Sequence, residues 1–314
     1  MRRYFIRRLI QSFILLWVVT ALFFTFQRLA PGGPQAFLDD PRMTEADKRA
    51  LMEDWGLHEP IHVQYVKWVS HIVRGDLGRS FQDRRPVWDK IIERVPNTLY
   101  LNAAALVLGL AGVPLGVWAA VNRGRLPDHV VRVTTVVVNA MPNWWLGLML
   151  LILTATYFKI FPLGGMYTIG QDSLPNRLWH LALPAIVAAT GGWIGFSRIV
   201  RSEMLETLGQ DYVKTARSKG LPERMVLYRH ALRNSLIPIA TGLGPTIVGL
   251  LGGTVIYERV FSWPGLGRLA YDAALQRDYP VQMGVFLIST VLVQVGYLIS
   301  DVAYCVVDPR VRLE

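Results

Sequence analysis

The chain has a single cysteine, Cys305, and it falls inside an apolar run. One thiol excludes an intrachain disulfide, a thiolate zinc cluster and a Cys-ligated iron–sulfur centre. Lysine is also scarce. None of the six lysines completes the GxxxxGK[ST] phosphate loop, and no other Gly-rich phosphate loop is present, so ATP-driven work would need a nucleotide site on another chain. Charge is the third shortage: 18% of residues are charged, against about 25% in soluble domains.

That shortage is uneven. Six charge-free runs of at least 19 residues cover 9–27, 97–122, 133–158, 178–197, 234–257 and 279–300. At about 1.5 Å per helical residue even the shortest covers about 28 Å, close to the ~30 Å hydrocarbon thickness of a bilayer. Six such runs exclude a soluble enzyme and predict an all-α membrane protein with six transmembrane helices. The start, MRRYFIRR before a long apolar run, is expected to be a retained signal anchor rather than a cleaved signal peptide.

The net charge of +10 would suggest nucleic acid in a soluble chain, but here its distribution has a simpler source. Seventeen Lys and Arg residues lie at the N terminus, in the loops after the second and fourth spans and in the tail; the opposite short loops carry five. The positive-inside rule then places both termini in the cytoplasm and leaves no role for nucleic acid. Spans are expected at 9–29, 97–122, 133–158, 178–197, 234–257 and 279–303. The cytoplasmic segments are 1–8, 123–132, 198–233 and 304–314, and the extracytoplasmic ones 30–96, 159–177 and 258–278.

The insert at 30–96 has 10 basic and 11 acidic residues and reads as short helices. Thr44 and Asp47 suit a capping start, Pro60 a first helical turn, and Ile61, Tyr65, Trp68 and Ile72 keep helical spacing up to Gly75. The sequence HEPIH at 58–62 formally matches the zinc-protease HExxH pattern, which needs both histidines on one helix face. Pro60 inside it favours a helix start, with His58 left outside, and no metal site is expected.

Polar and small residues within the spans have two readings. Asn139, Met141 and Asn143, with Gly249, Gly252 and Gly253, either serve helix packing and breaks or line a translocation path and gate. In the cytoplasmic region Asp211–Ile239, a short basic helix is expected to stop at Lys219-Gly220, and Leu221-Pro222 to start a second. Such a helix could dock in a groove on a cytoplasmic partner or lie on anionic lipid.

The stretch 211–238 resembles the cytoplasmic loop of ABC importer permeases of the dipeptide/oligopeptide/nickel class. The resemblance continues through RLAPGGP (28–34), GDLGRSF (75–81), NWWLGL (143–148), ERVFSWPGLGRL (258–269), RDYPV (277–281) and DPRVR (308–312). Their order is similar to that of the first, B-type permease of the pair. Against the general EAA-x3-G-x9-I-x-L-P motif of importers, with its Gly set on Gly220, Lys214, Thr215 and Ala216 replace EAA, while His230 and Arg233 stand at the Ile and Pro positions.

The resemblance implies a type I ABC importer permease in a bacterial or archaeal inner membrane. Its partners would be a sister permease, two cytoplasmic ATPases that bind ATP and magnesium, and an extracytoplasmic solute-binding protein. This chain would bind no cofactor and catalyse no reaction. Ala216, Arg217, Lys219, Gly220, Leu221, Arg229 and His230 would couple it to the ATPases. Peptides rank first among solutes, ahead of nickel chelates, glutathione-like compounds and oligosaccharides. An ion-coupled secondary transporter is the alternative; it would show internal repeats and a midplane ion site.

Overall fold

The computed structural model describes residues 2–30, 58–239 and 255–307, with Thr44, Glu45, Lys48, Arg49, Met52, Glu53, Gly56 and Gly242. Among the described residues the regular secondary structure is helical, apart from one isolated bridge, Arg79 with Pro86. Four helical stretches are long and apolar enough to cross a bilayer: Ile6–Leu29, Val87–Val121, Leu174–Leu208 and Tyr279–Asp301. A bent pair of helices, Leu126–Ala140 with Asn143–Tyr157, meets the same test only when its two parts are taken together. The run expected to span at 234–257 falls mostly outside the described residues.

The first span lies within helix α1 (Arg2–Leu29). Helix α2 (Ile61–Val73) follows Pro60, leaves His58 outside, and ends at Gly75, whose φ is +81°. The Gly75 amide donates to Ile72 and the Asp76 amide to His71, which closes the last turn. Among the described residues, no group of three His, Cys, Asp or Glu side chains could hold a metal ion.

The second span comprises α3 (Val87–Ile92), α4 (Val95–Gly109) and α5 (Gly112–Val121). It crosses α8 (Leu174–Leu208) along a seam of small residues. A Cβ at Gly116 would come within 2.7 Å of the Ser197 carbonyl oxygen, and one at Gly112 within 2.7 Å of that of Trp193. Close backbone approach supplies the van der Waals contact that lipid-exposed leucines cannot provide. The Trp193 indole adds a bond to the Leu108 carbonyl at 2.5 Å.

Helices α6 (Leu126–Ala140) and α7 (Asn143–Leu151, continued by a π-turn at Ile152–Tyr157) are bent by 100°. Met141 is extended there (φ −88°, ψ 135°), the conformation favoured before a proline, and Pro142 contributes no amide donor. The uncharged run 133–158 is therefore two helical segments that meet at a sharp bend, not one straight helix. Helix α9 (Asp211–Ser218) begins the loop after α8. The segments Glu223–Met225, the π-helical Val226–Ala231 and Leu232–Ser235 then lead back toward the bundle. Helices α10 (Val255–Val260), α11 (Leu266–Leu275) and α12 (Tyr279–Val307) complete the described chain.

Separate apolar cores hold the two ends. At one, Phe24, Trp68, Val87, Ile91, Leu266 and Met283 fasten the insert to α1, α11 and α12. At the other, Val117, Val200, Met204, Ala231 and Ile239 join α5 and α8 to the loop segments.

Candidate coupling loop and translocation cleft

Helix α9 is amphipathic. Val213 and Ala216 are buried with Val226, and Leu208 and Leu221 pack against them, while Lys214, Arg217 and Lys219 are exposed. The chain reverses at Gly220, whose φ of +75° lies in the left-handed region. The Gly220 amide donates to Arg217 at 2.9 Å and the Leu221 amide to Ala216 at 3.4 Å, the paired bonds of a Schellman cap. The turn thus returns Leu221 to the apolar patch that Ala216 occupies.

Arg217 makes a forked contact with Glu223 across this turn, Nη2 to Oε1 at 2.7 Å and Nε to Oε2 at 3.2 Å. The guanidinium holds the Glu223 carboxyl below its ordinary pKa. Arg217 is therefore a brace within the loop as well as part of its exposed face. Arg229 is exposed and His230 half-buried on the π-helical segment. Asn234 donates to the Tyr212 hydroxyl at 2.6 Å, and buried Ser235 lies 3.3 Å from the Thr207 hydroxyl. These bonds, with the core around Met204 and Ala231, tie the loop to the end of α8.

Asn139 lines an open cleft of about 1060 Å³ between α6 and α8, which Arg132, Arg198, Arg201 and Glu203 also face. Met141 is half-buried at the helix break and Asn143 is exposed at the start of α7; neither lines the cleft. Gly249, Gly252 and Gly253 lie outside the described residues.

The structure adds polar anchors that the sequence did not single out. Asp128, almost fully buried, accepts from Arg201 Nε at 2.6 Å and Nη2 at 3.0 Å and ties α6 to α8. At the insert end, Ser80 donates to Asp278 at 2.5 Å and the Phe81 amide donates to the same carboxylate at 3.1 Å. GDLGRSF and RDYPV are thus two halves of one contact. ERVFSWPGLGRL is similarly clamped to the start of α4: the Trp263 indole donates to the Asn97 carbonyl and the Asn97 amide group to the Pro264 carbonyl, both at 2.8 Å.

A helical membrane bundle with one insert-bearing end and one amphipathic loop fits what known proteins show. Residues 112–313 match the family described as binding-protein-dependent transport system inner membrane component, and residues 1–102 match its N-terminal membrane component. The chain belongs to this family. It is a permease component of a binding-protein-dependent ABC importer, a multi-pass inner-membrane subunit that is not itself an ATPase.

Among its relatives, the oligopeptide transport system permease protein AppB of Bacillus subtilis is 42% identical, over 99% of this chain and all of the relative. The dipeptide transport system permease protein DppB of Escherichia coli is 37% identical over 94% of each chain. The glutathione transport system permease protein GsiC of Salmonella choleraesuis is 36% identical over 99% of each. A solved inward-facing structure of the MetNI methionine ABC transporter aligns with a TM-score of 0.55 and 18% identity, over 69% of this chain and 95% of that one. This last likeness extends to the fold alone.

Proposed function

We propose that this permease imports peptides, and that it crosses the membrane six times with both termini and the Gly220 loop in the cytoplasm. The full-length identity to oligopeptide and dipeptide permeases carries the choice of solute. The asymmetry of seventeen basic residues against five supports the orientation.

In this reading a sister permease completes the translocation path, two ATPases holding ATP and magnesium dock on the exposed face of α9, and a solute-binding protein docks at the insert end. The permease contributes two conformations with different affinity for its partners, which is the requirement for nucleotide energy to bias a pore. The shared core of α9, the π-helical segment and α8 supports a lever role for Ala216, Arg217, Lys219, Gly220, Leu221, Arg229 and His230. The glycine seam would carry displacement of α8 into α5. Asn139, at the cleft, and Met141 and Asn143, at the break in the third crossing, are assigned to the path or its gate.

The test is reconstitution of the permease with its sister, ATPases and binding protein in liposomes. ATP-dependent uptake of labelled Ala-Phe is expected. Uptake of glutathione or a nickel chelate with no peptide uptake overturns the assignment of solute, and uptake by this chain alone driven by an ion gradient overturns the importer mechanism.

A further inference from the structure

The segment between α7 and α8 has its polarity turned inside out. Tyr157 and Phe158 close α7, and Leu163, Ile169, Leu174 and Leu178 follow, all of them more than half exposed. Ile169 is 96% exposed and so touches almost nothing of the protein. His180, by contrast, is buried: its Nδ1 donates to the Gly164 carbonyl at 3.1 Å, and its Nε2 meets the Thr168 hydroxyl at 3.1 Å. A contiguous apolar surface of this kind marks contact with something other than water.

The tip is held in shape. The Thr168 carbonyl accepts the Gln171 amide at 2.9 Å, with Ile169 and Gly170 at the corners of the turn and Gly170 at φ +82°. The Asn176 side chain accepts the Thr168 amide at 2.8 Å and donates to its hydroxyl at 3.2 Å. The amides of Ile160 and Phe161 donate to the Thr154 carbonyl at 2.7 and 3.3 Å, and the Ser173 amide to the Gln171 carbonyl at 3.0 Å. The Trp179 indole donates to the Ile160 carbonyl at 2.9 Å. Backbone groups bonded within the chain leave bulk water at little cost.

Charge is matched in the same way. Arg177 forks onto Asp172 at 2.5 and 2.7 Å and lies 5.6 Å from the centre of the Tyr167 ring. Lys159 is exposed and has no ion-pair partner among the described residues. Leu174 and Leu178 belong to the apolar helix Leu174–Leu208, so the patch continues the exposed surface of a membrane-spanning helix. The Gly165 amide donates to the Phe261 carbonyl at 3.0 Å, which puts the segment at the insert end, where Trp263 and Pro264 are clamped to Asn97.

We infer that residues 157–179 lie in the interfacial layer of the bilayer on the side of the insert, with Ile169 as the anchor among the acyl chains and Lys159 toward the lipid phosphates. Tyr157, Tyr167 and Trp179 have the amphipathic rings that collect at this depth. A solute-binding protein or a sister permease would present polar groups that this face cannot answer, since its own are already bonded to one another. Acyl chains need no such answer. Which leaflet is involved follows from the orientation proposed above; the contact with lipid does not depend on it.

The experiment attaches bimane at Ile169→Cys, in a Cys305→Ser background, to the full-length chain in lipid nanodiscs, first alone and then assembled with a cysteine-free sister permease and ATPases. The two quenchers are a phospholipid with a nitroxide high on its acyl chain and iodide in the buffer. In both preparations the lipid is expected to quench the label and iodide to leave it nearly unchanged, and addition of binding protein should alter neither. A second label, at Leu163→Cys, reads the anchor: Ile169→Asp is expected to shift it from lipid toward iodide quenching. Ile169 has almost no protein contacts to lose, so this substitution leaves the fold intact.

Stronger quenching by iodide than by lipid overturns the inference by placing the tip in water. Quenching by neither agent, or loss of lipid quenching on assembly or on addition of binding protein, overturns it by giving the face to a protein. An unchanged Leu163 label in Ile169→Asp overturns the role of Ile169 as anchor. Nanodisc bilayers carry the same lipid on both faces, so these outcomes are independent of the orientation and of the imported solute.

Discussion

Glu258 is fully buried and accepts a hydrogen bond from the Thr98 hydroxyl at 2.8 Å, across 160 residues of chain. Thr98 in turn accepts the Leu266 amide at 2.8 Å, and the second carboxylate oxygen of Glu258 takes the Arg268 amide at 2.8 Å. Gly265 lies so close that a side chain there would overlap the carboxyl group. The loop between α10 and α11 is therefore wrapped around a carboxylate pinned to the second span.

Thr98→Val is expected to remove a donor to Glu258 and an acceptor for Leu266 at nearly constant volume. Each buried group left unpaired costs about 1–3 kcal/mol. Thermal unfolding of the purified chain in detergent should show a clear loss of stability, whereas Thr98→Ser should retain most of it. Equal melting of the Val and Ser variants would mean that these bonds contribute nothing to stability.

This anchor also marks the limit of what the sequence discloses. The spans are legible because charge-free runs leave their helices no other solvent, and the breaks at Pro142, Gly75 and Gly220 because proline removes a donor and glycine accepts positive φ. Those signals are local. Thr98 with Glu258, Ser80 with Asp278 and Asp128 with Arg201 are ordinary residues at ordinary spacings, and only the packing of distant helices pairs them. The same holds for the loop: its cap at Gly220 can be read from residue types, but the brace from Arg217 to Glu223 needs the turn to exist first.

Asp278→Asn tests the join between insert and last span. The substitution replaces a carboxylate that accepts from the Ser80 hydroxyl and the Phe81 amide with a group that has one fewer acceptor oxygen. A destabilisation of about 1–3 kcal/mol is expected, concentrated in the insert. Limited proteolysis should reveal cleavage between residues 74 and 86 before the membrane helices are cut. Protection equal to wild type would show that the apolar core alone holds the insert.

Arg201→Ala leaves Asp128 buried without its forked partner, and removal of one member of such a pair costs about 3–5 kcal/mol. Arg201 also lines the cleft, so a fall in uptake alone would not separate structure from path. The double variant Asp128→Asn with Arg201→Met removes the uncompensated charge. It should recover much of the yield and melting temperature lost in the single variant. Failure of this recovery, with the single variant as stable as wild type, would show that the pair does not join α6 to α8.

Gly220 tests the lever. A Cβ added there would meet nothing within 4 Å, so a side chain costs no steric overlap and acts only through the φ of +75°. A β-branched residue opposes that conformation by roughly 1 kcal/mol or more, whereas asparagine tolerates it. Gly220→Val should therefore insert and melt almost as wild type but displace Leu221 from the patch with Ala216 and Val226. The expected result is loss of peptide uptake, through poorer retention of ATPase subunits or hydrolysis uncoupled from transport, with Gly220→Asn close to wild type in both. Because both substitutions add bulk to the same open space, a difference between them isolates the backbone turn. Wild-type uptake and ATPase retention in Gly220→Val would show that the direction of this turn does not matter, and that α9 is a surface helix with no part in coupling.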